Sequence, residues 1–143
     1  MSPGVFFLVF SVLLYLGSLA LPAIHFAQGD VHSGFFLLCL GYLNGRVHWL
    51  ANPLVWTAWL LLALRKPVPA LIVLGAAVAL MLGALQVREA LWSWSWNSTT
   101  SIRLKVVALG TGYWVWLSSA IVAGIGALAD WGGRVVARAG KSR

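Results

Sequence analysis

An uncharged apolar run from Gly4 to Ile24 is long enough to cross a bilayer, and further runs of similar length follow it. A hydrocarbon core takes roughly 20 apolar residues as a helix. Inside that core every backbone N–H and C=O must be satisfied by the chain itself. Repeated runs of this kind therefore make helices the expected element. Composition agrees: 61% of the 143 residues are apolar and 9% charged, against roughly 45–50% and ~25% in soluble domains.

The expected fold is an all-α membrane protein, a four-transmembrane-helix bundle with an additional short interfacial or re-entrant helix, in one domain over 1–143. The spans are expected at about 4–24, 47–65, 69–87 and 106–129. Met1-Ser2-Pro3 carries no positive charge, so the first run reads as an uncleaved span rather than a secretory signal. Residues 25–33 read as a polar loop with Gln28, Gly29 and Asp30 as turn formers. Residues 34–45 are apolar but too short to cross, which puts them in or on the interface. Arg65-Lys66-Pro67 closes the second span, because proline cannot continue a helix. A tryptophan-rich loop over 90–101 and a basic tail over 131–143 complete the reading.

The chain carries ten Lys and Arg against three acids, a formal charge of +7. In a soluble protein this balance would point to nucleic acid. Here the bases flank apolar runs and form no groove, so membrane lipids are expected as partners and nucleic acid is not. Arg65, Lys66, Arg134, Arg138, Lys141 and Arg143 fall on one side of the expected membrane. Arg46, Arg88, Arg103 and Lys105 fall on the other. The positive-inside rule makes the first side cytoplasmic, with both termini there.

His25, Asp30, His32, Arg46 and His48 gather at one expected rim, with Asn52 just inside the second span. Imidazole and carboxylate could hold a metal or relay protons. The plainer reading is a polar rim that lipid excludes, and no metal or cofactor is assigned. Arg46 either snorkels to phosphate or, drawn inward, needs Asp30 or Glu89 as a partner. Cys39 is the single cysteine, so no internal disulfide or thiol exchange is available, and it reads as a packing residue. Paired membrane carboxylates, HExxH, a phosphate loop and a nucleophile elbow are all missing from the sequence, so no enzyme is expected.

Small residues at Gly75, Ala79 and Gly83, and at Ala120 and Gly124, form stripes on which another helix could pack. Trp92, Trp94, Trp96 and Trp131 are expected interface anchors. Asn97-Ser98-Thr99 matches a glycosylation triplet, a weak pattern in a chain of bacterial composition. Tyr113, Thr111, Asn52 and Thr57 could line a polar pocket, though the plainer expectation is that they make interhelical hydrogen bonds, and at least one of Trp114 and Trp116 is expected to pack inside.

The segments Trp49-Leu50-Ala51-Asn52-Pro53-Leu54 and Gly110-Thr111-Gly112-Tyr113-Trp114-Val115-Trp116-Leu117-Ser118-Ser119 resemble motifs of small four-helix inner-membrane proteins of bacteria with no assigned activity. That resemblance implies a bacterial inner-membrane location and no mechanism. The leading functional expectation is a non-enzymatic interaction protein, an accessory or immunity subunit binding another membrane protein or itself. The alternatives are a small oligomeric transporter or channel, centred on Arg46, His48 and Asn52, and a lipid-binding protein.

Overall fold

The computed structural model describes residues 3–41, 47–94 and 101–140. The order of elements is α1 (Pro3–Ala20), β1 (Pro22–Phe26), β2 (Val31–Ser33), α2 (Gly34–Leu40), a 3-10 turn (Val47–Leu50), α3 (Ala51–Ala63), α4 (Pro67–Gly83), a second 3-10 turn (Ala84–Gln86), β3 (Glu89–Trp94), β4 (Ser101–Leu109) and α5 (Thr111–Ala139). The four longer helices pack side by side, α5 against α1 and α4, and α3 against α4.

This corrects the all-α expectation. A four-stranded antiparallel sheet of order β2-β1-β4-β3 closes one end of the helices. Among the described residues two helices, Pro67–Gln86 and Thr111–Ala137, are long and apolar enough to cross a membrane, so the four-span bundle does not stand. Gly4–Ala20 and Val47–Ala63 are shorter apolar helices.

The physical reason lies where the first and fourth expected spans were overextended. Pro22 pushes the residue before it out of the helical region and ends α1. Residues 22–24 and 106–109 then leave their helices and contribute to the same strand pair, Ile24 opposite Leu109 and His25 opposite Ala108. The Gly110 N–H seals the joint by donating to the Ala23 carbonyl at 2.9 Å. A Cβ at Gly110 would collide with the Pro22 carbonyl, and one at Gly112 with the carbonyls of Leu21, Pro22 and Ser18. The two glycines are required by this close approach of backbone to backbone. Residues 25–33, expected as a loop, are instead a hairpin turning at Gly29, whose φ is +91°.

The helix core is made of small side chains. Ala51, Ala58, Ala70, Ala77, Ala120, Ala123 and Ala127 are buried, with Val55, Leu74 and Met81 among them. Large apolar side chains face outward instead, Leu13 at 60% exposed, Ile72 at 71% and Val136 at 73%. In water such a surface would drive association, whereas in lipid close helix contact rests on small residues. Only 22% of the α4 window and 44% of the α5 window are buried, unlike the core helix of a soluble protein.

The expected stripe on α4 divides. Gly75 has open space where a Cβ would stand, and Ala79 is exposed. The face of α4 that packs inward is Ala70, Leu74, Ala77 and Met81. Gly83 does meet a neighbour, the His48 ring. On α5 Ala120 is buried and Gly124 open, while Gly126 takes the close contact with Phe7 of α1. Spacing of i, i+4 puts small residues on one face of a helix without saying which face, so such a stripe fits the outer face as well as the inner.

Candidate functional site

A cavity of about 140 Å³ opens where the sheet meets the helix ends. Ala23 and Ile24 of β1 form one wall, and Leu37 and Leu38 of α2 another. His48, Trp49 and Asn52 enter from the start of α3. Ala84 and Ala90 follow α4, and Tyr113 and Trp116 lie on the first turns of α5.

Asn52 organises this wall. Its Oδ1 accepts from Tyr15 Oη at 3.0 Å and from Trp116 Nε1 at 3.1 Å, while its Nδ2 donates to the Trp49 carbonyl at 3.1 Å. One side chain thus joins α1, α3 and α5. Trp49 Nε1 donates to the Leu38 carbonyl at 2.9 Å, which holds α2 over the cavity. Tyr113 Oη donates to the Met81 carbonyl at 2.8 Å. His48 Nδ1 lies 3.0 Å from the Leu80 carbonyl. A carbonyl only accepts, so Nδ1 carries the proton. Polar atoms at the wall are largely spent on one another, as buried polar groups must be, and what faces the space is apolar.

The size is informative. An engineered apolar cavity of about 150 Å³ stays dry and takes benzene, so this one fits roughly six heavy atoms.

The described members of the rim expected from sequence lie on several different elements. His48 and Asn52 line the cavity. His25 sits on β1 against Gly110. His32 lies on β2 between the rings of Phe26 and Phe36, with centroids at 5.0 and 3.9 Å. Its Nδ1 has no hydrogen-bond partner among the described residues, and burial lowers its pKa below 6.5 against the opposing pull of Asp30. Asp30 is exposed at the hairpin turn, and Arg46 lies outside the described residues. Among the described residues no three His, Cys, Asp or Glu come together as a metal ion requires.

Other expected positions fall as follows. Trp92 and Trp94 are on β3, Trp131 is exposed near the far end of α5, and Trp96 and the triplet Asn97-Ser98-Thr99 lie outside the described residues. Cys39 is exposed on α2 rather than packed. Thr57 bonds the Pro53 carbonyl of its own helix, and Thr111 is exposed. Trp116 turns inward and Trp114 outward. Among residues that the sequence reading did not single out, Leu37, Leu38 and Ala84 line the cavity, and Tyr15, outside its lining, supports Asn52. Tyr15 had a signal: a single phenol within an apolar run needs a buried acceptor. The leucines and the alanine had none.

No family model matches the chain, and no curated protein or solved structure matches it.

Proposed function

We propose that this chain is a non-enzymatic bacterial inner-membrane protein that holds the end of one apolar chain, from a lipid or prenyl compound, between its sheet and its helices. The observation that carries this reading is the apolar cavity framed by the Asn52 hydrogen bonds. Its outward apolar helix faces would stand in lipid, and an acyl or prenyl tail reaches the cavity from that phase without crossing water. The bases Arg65, Lys66 and Arg134 favour the cytoplasm for the end away from the sheet.

The test is lipid extraction and mass spectrometry after purification in mild detergent. The wild type is expected to retain one long-chain lipid per protein. Ala84→Phe fills the cavity and is expected to lose that lipid while remaining folded. Equal lipid in both proteins would remove the reading.

A second reading, an accessory subunit docked on another membrane protein, draws on the outward small face at Gly75 and Ala79. Co-purification of a stoichiometric foreign protein, lost in Gly75→Leu, would favour it. A lone chain at every detergent concentration would end it.

A further inference from the structure

At the end of the helices opposite the sheet, the α3–α4 turn and α5 enclose a groove of about 310 Å³. Arg65, Lys66 and Arg134 line it, together with Trp131 and the apolar side chains of Val68 and Val135. The turn is a Schellman motif: Arg65 N–H donates to the Leu62 carbonyl at 2.9 Å and Lys66 N–H to the Leu61 carbonyl at 2.8 Å. The motif places its C′ residue in the left-handed region, where glycine is the usual occupant. Arg65 occupies it, with φ at 56°, and it is the one non-glycine residue with positive φ among those described. A Cβ there is unfavourable, so the turn carries an arginine at the position where glycine would fold best.

The third cation is fixed on the same turn. Arg134 Nη1 donates to the Arg65 carbonyl at 2.6 Å, which leaves the rest of a five-donor guanidinium available. The acid nearest in sequence, Asp130, turns its carboxylate onto Gly4 of α1 instead. Three cations therefore share one groove with no carboxylate in ion-pair contact among the described residues. Their mutual repulsion is relieved by an anion, and guanidinium forks suit phosphate oxygens. The apolar flank, Val68 and Val135 with the half-exposed Trp131, continues the outward apolar surface of α4 and α5.

The geometry points to a binding site for the phosphate of an anionic membrane lipid, the phosphate between Arg65, Lys66 and Arg134 and the glycerol and first methylenes on Val68, Val135 and Trp131. It is separate from the cavity beneath the sheet and does not rest on that cavity being filled.

The experiment is native mass spectrometry of the detergent-solubilised full chain, titrated with phosphatidylglycerol, phosphatidylcholine and soluble glycerol 3-phosphate. Phosphatidylglycerol is expected to bind first, in preference to phosphatidylcholine. Arg134→Gln is expected to weaken that preference roughly fivefold, the usual scale for one basic residue at an anionic surface. Arg65→Gly is expected to weaken it similarly while raising the thermal midpoint, because glycine adopts positive φ freely. That combination separates lost binding from lost folding. Full competition by glycerol 3-phosphate would support the phosphate site with a soluble ester as its source. No preference between the two lipids, or a preference unchanged in both variants, overturns the proposal.

Discussion

Trp116 donates its indole N–H to Asn52 Oδ1 at 3.1 Å, and the same oxygen accepts the Tyr15 hydroxyl at 3.0 Å. Two aromatic donors from α5 and α1 thus converge on one amide of α3. Asn52→Ala strips both of their acceptor at once. Leaving a buried donor unpaired costs about 1–3 kcal/mol, so thermal unfolding in detergent should show a loss of at least that order. Asn52→Asp keeps an acceptor oxygen and should lose less.

Gly75 and Gly83 lie on the same i, i+4 stripe but should respond with opposite sign. Gly75 faces open space, and alanine there should stabilise α4 by roughly 0.5–1 kcal/mol through backbone entropy. A Cβ at Gly83 would stand 2.8 Å from His48 Cε1. Gly83→Ala should cost about 1–3 kcal/mol by overpacking. The His48→Ala background should relieve that cost, which a double-mutant cycle on unfolding midpoints measures.

Acid should weaken the sheet end through His32. Burial holds its folded pKa below the ordinary 6.5, so the unfolded chain takes up the proton first as pH falls. The stability contributed by neutral His32 is complete above about pH 6.5 and declines as pH drops toward the folded value. His32→Phe keeps a ring between Phe26 and Phe36 and cannot titrate. The unfolding midpoint of the wild type should fall on acidification from pH 7 more steeply than that of the variant.

Gly110→Ala should be among the most damaging single substitutions. Its Cβ meets the Pro22 carbonyl, which is backbone and cannot swing away. Either the β1–β4 pairing opens or α5 shifts, and hydrogen exchange should rise at Ala23 and Leu109 before it rises in the helix core.

The apolar helices and the stop at Arg65-Lys66-Pro67 were legible because both are local: a long uncharged run and a proline. The sheet was hidden because its strands continue apolar runs. Val106, Val107, Ala108 and Leu109 read as the start of a span, and only their partner β1, some eighty residues earlier, makes them a strand. A signal did exist in Ile102-Arg103-Leu104-Lys105-Val106, a period-two alternation that fits a strand and not a helix. In β1 the signal was Pro22, a helix breaker set inside an apolar run. For the site, Asn52 and His48 stood out as polar residues beside lipid-soluble ones. Leu37, Leu38 and Ala84 did not, because an apolar wall looks like any other apolar residue until the fold shows which space it faces.

The central claim is that an apolar chain end occupies the cavity, and photo-crosslinking in membranes tests it most directly. A probe with a diazirine at the end of an acyl or prenyl tail is irradiated with the protein in vesicles, and labelled peptides are mapped by mass spectrometry. The account predicts saturable labelling of Leu37, Leu38, Ala84 and Trp116, suppressed by Ala84→Phe. Unsaturable labelling confined to outward side chains such as Leu13, Ile72 and Ile121 would contradict it.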